Sequence, residues 1–173
     1  MINMKRTKEE NMELCERYPF LIPWNRWSGV RITDAKDGGY WPGNPKAIPE
    51  YDYEYTELDS IPDGWQKAFG EQMCEELRNA LIEDGDLDEW KIIQLKEKWG
   101  GMRLYDNGHK PTSKVGAIIE KYENMSMGIC AVCGAPATRV TLGYVLPFCD
   151  DCCNNCGNGR SVTIEEYYEK DEE

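Results

Sequence analysis

The sequence predicts an α+β fold in which a small domain of helices and one β-hairpin is followed by a compact module rich in cysteine. Three observations predict this fold. Apolar residues recur every four positions between residues 61 and 85, which is a helical pattern. Two apolar-polar alternating segments flank a Gly-Gly pair within residues 90–108, as in a hairpin. Six of the eight cysteines lie within residues 130–156.

The first helix is predicted from "TKEENMELCERY", because Thr7 and Glu10 have the spacing of a capping box. Residues 19–61 are expected to be irregular, since they contain five prolines and many glycines. This segment also carries Trp24, Trp27 and Trp41, which we expect to pin it to the surface of the core.

The clearest helix lies in "SIPDGWQKAFGEQMCEELRNALIEDG", with Pro62 near its first turn. One apolar stripe runs along it, and we expect that stripe to pack in the core: Trp65, Phe69, Met73, Leu77 and Leu81.

The hairpin is predicted from "EWKIIQLKEKWGGMRLYDNG", with Gly100-Gly101 as its turn. We expect Ile93, Leu95 and Trp99 to share one face, and Trp99 and Tyr105 to be buried structural residues. A further helix is predicted in "PTSKVGAIIEKYENM", with Thr112 or Ser113 as its cap.

The cysteine spacing indicates a metal site. Cys130-x2-Cys133 and Cys149-x2-Cys152 are separated by 15 residues, at the edge of the spacing typical of four-cysteine zinc sites. "ATRVTLGY" and "VLPFC" between the pairs suit a hairpin, and Gly134 suits the tight turn after the first pair. Four thiolates would hold one tetrahedral Zn²⁺ in a zinc-ribbon-like module with no open coordination position.

Cys153 and Cys156 form a third C-x2-C pair. They could serve as alternative or spare ligands of one zinc, which is the favoured interpretation, or belong to a second site. Cys15 and Cys74 lie on apolar helical stripes, where a buried thiol is the simpler expectation.

The expected domain organisation has three parts. Residues 1–126 form the α+β domain, residues 127–158 form the zinc-ribbon-like module, and residues 159–173 form an acidic tail that frays. The module follows the preceding helix with no flexible linker, so we expect it to pack against the first domain.

The segment "KEKWGGMRLY" (96–105), a following helix and the pairs "CAVC" and "CDDC" together resemble a known pattern. They are similar to an uncharacterised family of small phage, prophage and bacterial proteins with a KEKFGGLRFY-like segment and two CxxC turns. The resemblance covers roughly residues 88–156, with Trp99 and Met102 as conservative departures. It implies a mobile-element origin and a zinc site, and it carries over no catalytic residue.

The formal net charge is −12, and it is distributed unevenly. Residues 46–89 contain 14 acidic and three basic residues, whereas residues 90–121 contain seven basic and three acidic ones. Within "YDYEYTELD", we expect an exposed acidic face that imitates a nucleic-acid backbone: Asp52, Glu54, Glu57 and Asp59. The simpler alternative is a solvated edge whose charges prevent aggregation.

These features favour a non-enzymatic protein. A closed four-cysteine site leaves no position for water, and one histidine offers no catalytic triad. The predicted function is inhibition of a host nucleic-acid-handling protein with a basic surface, for which a CRISPR effector nuclease is the obvious candidate. The alternative is a zinc-ribbon nucleic-acid-binding accessory protein that uses the basic and aromatic hairpin 91–105.

We expect a cytoplasmic location in the host cell of a phage or other mobile element. The sequence has no run of 18 apolar residues, and no apolar region follows the first basic residues.

Overall fold

The computed structural model describes residues 5–23, 51–156 and 160–169. In these ranges the elements follow in the order α1 (Lys8–Arg17), α2 (Asp63–Trp65), α3 (Glu71–Asp84), β1 (Ile92–Lys98), β2 (Gly101–Asp106), α4 (Val115–Ser126), β3 (Arg139–Thr141), β4 (Pro147–Phe148), α5 (Asp150–Cys156), β5 (Ser161–Thr163) and α6 (Ile164–Glu169). Helices combined with two small antiparallel sheets confirm the α+β class. None of the described helices is long and apolar enough to cross a membrane.

Helix α1 begins with the predicted capping box. The amide of Glu10 donates to Thr7 Oγ1 at 3.2 Å, and the amide of Thr7 donates to Glu10 Oε2 at 2.7 Å. These two bonds satisfy N–H groups that a helix start would otherwise leave unpaired. The helix buries Leu14 and Cys15 against the core.

Helices α2 and α3 are joined by a π-helical turn, Gln66–Gly70, so that residues 63–84 form one continuous helical run. All five residues of the predicted stripe are buried. On a regular α-helix, residues spaced four apart drift by about 40° per repeat, since a turn takes 3.6 residues. The wider π-helical turn offsets part of this drift, and Trp65 therefore faces the same core as Leu81.

The irregular segment 19–61 is described only at its two ends. Short 3₁₀ turns form at Pro19–Leu21 and Glu57–Ser60, where Leu21 and Leu58 are buried. The predicted roles of Trp24, Trp27 and Trp41 lie outside the described residues.

Strands β1 and β2 form the predicted hairpin, but its faces and turn differ from the prediction. A register shift between Ile92 and Gln94 places Ile92, rather than Ile93, in the core with Leu95. Lys98 pairs with Gly101, so the two-residue turn consists of Trp99 and Gly100. The expectation that Trp99 packs on the apolar face is therefore wrong.

Helix α4 covers the hairpin and packs against α3. The N-cap position is Lys114, which makes no side-chain cap bond, so the prediction of Thr112 or Ser113 as the cap is wrong. Ser113 Oγ accepts the amide of Val115 at 3.1 Å from the position before the cap. On its inner face, Ser126 Oγ and Glu123 Oε1 accept hydrogen bonds from the amides of β2 residues Met102 and Leu104. These side chains satisfy the free edge of β2, as buried backbone groups require.

The C-terminal sheet has the strand order β4-β3-β5. Strand β5 pairs with β3 through Val140 and Val162, and α6 follows it directly. Residues 161–169 therefore differ from the frayed tail that we expected, since they extend the cysteine module by a strand and a helix. The predicted boundary at residue 158 falls in an undescribed gap.

Candidate metal centre and neighbouring surfaces

Four sulfur atoms converge at one point in the C-terminal module. The Sγ atoms of Cys130, Cys133, Cys149 and Cys152 all lie within 4.8 Å of one another, and those of Cys133 and Cys149 are 3.6 Å apart. Tetrahedral coordination with metal–sulfur bonds of about 2.3 Å requires sulfur atoms about 3.8 Å apart. The predicted ligand set is therefore brought together at a spacing that could hold a metal ion.

The first cysteine pair lies in a tight turn. The amide of Cys130 donates to the carbonyl of Ala135 at 2.7 Å, and the amide of Gly134 donates to the carbonyl of Cys130 at 3.0 Å. Gly134 has φ 82°, a left-handed conformation that glycine adopts without strain. The prediction that this position needs glycine is confirmed.

The second pair differs from a simple turn. Cys149 immediately precedes α5 and Cys152 lies in its first turn. The amide of Cys153 donates to the carbonyl of Cys149 at 2.9 Å, which fixes this pair in helical geometry. Strands β3 and β4 form the predicted hairpin between the two pairs, and they return the chain to the first pair.

The environment of Cys130 favours a thiolate. Burial opposes its ionisation, but backbone N–H groups of Cys133, Cys149 and Val132 donate to the sulfur and lower the pKa of Cys130 to about 7. Burial and the neighbouring sulfurs raise the pKa of Cys152, because a second negative charge beside Cys130 is unfavourable. A bound cation would remove that repulsion.

Among the described residues, the other cysteines and the single histidine are not part of the four-cysteine cluster. Cys153 is buried beside the cluster, with its Sγ 3.5 Å from Ser161 Oγ. Cys15 and Cys74 are buried in the main core, as expected. His109 contacts Asp106 at 2.7 Å. The side chain of Cys156 is not described.

The cysteine module is fixed to the main domain through the first cysteine pair. The amide of Gly64 donates to the carbonyl of Ala131 at 2.9 Å, and Trp65 Nε1 donates to the carbonyl of Ile129 at 2.9 Å. Ala131 belongs to the main core cluster. The expected packing of the module on the first domain is confirmed.

The predicted acidic residues lie beside α1 and partly pair with its basic residues. Asp59 Oδ1 is 2.5 Å from Arg6, while Asp52 and Glu54 share Lys8 at 2.9 and 3.5 Å. Asp59 also accepts the amide of Thr56 at 2.6 Å. Burial is the largest single influence on the pKa of Asp52 and raises it, but the hydrogen bonds from Lys8 and backbone amides together outweigh burial and lower the pKa.

The outer face of α1 adds further carboxylates to this region. Glu9, Glu13 and Glu16 are exposed on the side opposite the buried Leu14 and Cys15. No described residue forms a salt bridge with any of the three. We call Glu9, Glu13, Glu16, Asp52 and Glu54 the α1 acidic surface. Sequence reasoning missed the three α1 residues, although their helical spacing could have revealed them.

The hairpin presents a second surface in the segment 91–105, for which the sequence predicts nucleic-acid binding as the alternative function. Trp99 is 74% exposed and Tyr105 is 46% exposed, so the expectation that both are buried is wrong. Tyr144, on the loop between β3 and β4, is 72% exposed and donates from its hydroxyl to Glu97 at 3.0 Å. The turn itself excludes Trp99 from the core, because a two-residue loop projects beyond both strands.

Comparison with known proteins identifies no relatives: no family model matches the chain, and no curated protein or solved structure is detectably similar to it.

Proposed function

We propose that Cys130, Cys133, Cys149 and Cys152 hold one Zn²⁺ and that the protein is a non-enzymatic binding protein. Zinc suits a four-thiolate set at tetrahedral spacing, and such sites are structural because no position remains for water or substrate. Its role here is to stabilise the cysteine module, which has a short sheet and a small core of its own. The zinc-ribbon-like character of the module is part of this proposal.

We propose that the partner is a host nucleic-acid-handling protein with a basic surface, in the cytoplasm of a cell that carries the phage or mobile element. A CRISPR effector nuclease is the leading candidate, since its channels for guide and target are strongly positive. Binding of an acidic protein there would block nucleic acid from entering.

The α1 acidic surface supports this proposal. Asp52 and Glu54 belong to one segment and Glu9, Glu13 and Glu16 to another, and the two segments are held together by Lys8. The basic residues near these five carboxylates are Lys5, Arg6, Lys8 and Arg17, but Arg6 and Arg17 pair with Asp59 and Glu71 instead. The surface therefore keeps an excess of negative charge. A negative electrostatic potential of this kind mainly accelerates association with a basic partner and sets specificity.

The expected contact residues now divide into two groups. Asp52, Glu54 and Asp59 are all partly exposed, and they differ in their partners. Asp52 and Glu54 contact the half-exposed Lys8, whereas Asp59 is engaged by the less exposed Arg6 and by the amide of Thr56. Glu57 lies in the adjoining 3₁₀ turn and remains a predicted contact. If all four carboxylates were replaced by lysine, a loss of inhibition could result either from lost binding or from lost stability. The test therefore uses carboxylates of α1.

The test compares two matched double variants. Glu13→Lys with Glu16→Lys reverses two charges on α1, and Glu165→Lys with Glu169→Lys reverses two exposed carboxylates on α6. We expect the parent protein to inhibit DNA cleavage by a guide-loaded CRISPR effector nuclease, the α1 variant to lose that inhibition, and the α6 variant to keep it. Equal inhibition by both variants would reject the proposed surface.

A second measurement tests the wider partner class. Association with the same nuclease should slow sharply as the salt concentration rises and the screening length falls below about 10 Å. Association that does not depend on salt would contradict charge-driven binding, even if inhibition occurs.

A further inference from the structure

The turn residue Trp99 is unfavourable for the fold in two ways. Its φ is 55°, and Gly100 follows at φ 79°, which together describe a hairpin turn that normally selects Asn-Gly. A bulky residue with positive φ is a true outlier. The side chain is also 74% exposed, so it gains little from burial. Neither the backbone nor the core accounts for tryptophan at this position.

A second exposed aromatic residue lies at the same end of the hairpin. Glu97 links the two positions, because Oε1 accepts the amide of Gly100 at 2.8 Å and Oε2 accepts the hydroxyl of Tyr144 at 3.0 Å. A Cβ at Gly100 would come within 3.0 Å of Val145 Cγ1. The loop between β3 and β4 therefore lies against the hairpin turn, and Tyr144 lies near Trp99.

Three basic residues lie on the solvent-exposed face of the hairpin: Lys96, Lys98 and Arg103. Cross-strand partners lie on the same face, so Lys96 and Arg103 stand side by side, with Lys98 nearer the turn. None of the three forms a salt bridge with any residue that the structure describes. By contrast, Lys110, Lys114 and Lys121 each pair with a carboxylate of the α3 region.

Tyr105 completes this surface. It stands opposite Gln94, and the Lys96 ammonium lies 5.4 Å from its ring centroid. We call Lys96, Lys98, Trp99, Arg103 and Tyr105 the hairpin surface, and Tyr144 is not part of it because its partner Glu97 lies on the face of Met102. The opposite face of the hairpin buries Leu95, Met102 and Leu104, so the two faces are sharply different.

We propose that the hairpin surface binds single-stranded nucleic acid. Unpaired bases would stack on Trp99 and Tyr105, and phosphates would contact Lys96, Lys98 and Arg103. Exposed rings interleaved with these cations fit such a strand better than a duplex, whose bases are already stacked. Residues 94–98 span about 13 Å, which is room for about two to four nucleotides at about 3.4 Å per stacked step.

The net charge of −12 limits this interaction without excluding it. The hairpin is locally basic, and charges more than about 8 Å away are largely screened at physiological ionic strength. Three cations predict a slope of about −2 for log affinity against log salt concentration with a single strand. We therefore expect weak binding that is detectable at about 0.1 M salt, where the screening length is about 10 Å.

The decisive variant is Trp99→Asn, because it improves the turn while removing the stacking ring. Binding to a fluorescein-labelled ten-residue oligo(dT) is measured by anisotropy at about 0.1 M salt, and thermal unfolding is measured in parallel. We expect Trp99→Asn to raise the melting temperature and weaken binding at least tenfold. The control Tyr168→Ala, which removes an exposed aromatic residue from α6, should bind like the parent.

Three results would overturn the proposal: no binding by the parent, equal binding by Trp99→Asn, or equally tight binding of duplex DNA. The Glu13→Lys with Glu16→Lys variant separates this inference from the proposed inhibitor function. It should bind oligo(dT) at least as tightly as the parent, whereas it should lose inhibition of the nuclease. If Trp99→Asn instead loses only inhibition, the hairpin surface is a protein interface and the nucleic-acid proposal is wrong.

Discussion

The amide of Gly64 lies 2.9 Å from the carbonyl oxygen of Ala131, and this bond joins the start of the long helical run to the turn between two metal-ligand cysteines. A Cβ at Gly64 would lie 2.2 Å from the carbonyl oxygen of Cys130. The carbonyl of Gly64 also lies only 2.6 Å from a Cβ built at Gly134. Two glycines therefore permit the close contact between the main domain and the candidate metal centre.

Gly64→Ala should destabilise the protein. Alanine favours a helix over glycine by about 1 kcal/mol, but the clash with backbone atoms cannot be relieved by a side-chain rotation. We expect a net loss of about 1–3 kcal/mol in the free energy of unfolding, measured by urea denaturation. The control is Gly128→Ala, whose added Cβ would meet only ordinary contact at 3.7 Å. Equal stability of the two variants would contradict the described contact.

Removal of the metal should change the environment of the Trp65 indole. Its indole N–H donates to the carbonyl of Ile129, directly before the first ligand, so unfolding of the module breaks this bond. In NMR spectra, we expect a chelator to shift the Trp65 indole resonance while most of the helical circular dichroism remains. An unshifted Trp65 resonance in the metal-free protein would show that the module does not depend on metal for its docking.

The ion pair between Glu76 and Lys121 predicts a pH-dependent contribution to stability. A hydrogen bond from Lys121, at 2.7 Å, lowers the pKa of Glu76 below its ordinary value of 4.5, and the hydroxyl of Tyr122 adds to the shift. Because the pKa is lower in the folded state, the stabilisation is present above pH 4.5 and is lost as the pH falls through the folded pKa.

Glu76→Gln should therefore cost at most about 1 kcal/mol at pH 7, since both charged groups are partly exposed. The difference from the parent should shrink toward zero below the folded pKa, which thermal unfolding across pH will measure. The more exposed pair of Glu83 and Lys114 provides the comparison, and Glu83→Gln should have a smaller effect. A constant difference at all pH values would mean that packing, rather than charge, dominates at Glu76.

Asp59 and Asp52 should respond differently to substitution. Asp59→Ala removes the ion pair with Arg6 and the cap on Thr56, so we expect a cost of about 1–2 kcal/mol by denaturant unfolding. Asp52→Ala removes a bond to the half-exposed Lys8 and the acceptor of the Glu54 amide at 3.1 Å, and it should cost less, about 0.5 kcal/mol. Similar costs for the two variants would contradict the division of the acidic segment into structural and available carboxylates.

Local interactions account for what the sequence could predict. The capping box joins Thr7 to Glu10 within one turn, and the buried apolar stripe repeats within one helical run. The clustered cysteines are recognisable from the spacing of the two C-x2-C pairs. Each depends on residues close in sequence, whose geometry is set by helix or turn rules. The α+β class and the cluster of four cysteines that could hold a metal ion followed from these patterns.

Non-local contacts account for the features that the sequence could not predict. The shift between Ile92 and Gln94 changed the buried face of β1, and nothing in the local pattern marks such a bulge. The pairing of Val140 with Val162 made the expected tail part of a sheet. The sequence shows Trp99 only as one more aromatic residue, because its exposure depends on which two residues form the turn.

The most direct test of the account is native mass spectrometry of the purified protein. We predict one Zn²⁺ per chain, seen as a mass increase in which the bound ion replaces two protons. Cys152→Ser should lose most of the metal, whereas Cys153→Ser, one residue further along α5, should keep it. A metal-free parent, or equal zinc content in Cys152→Ser and the parent, would contradict the four-cysteine zinc centre.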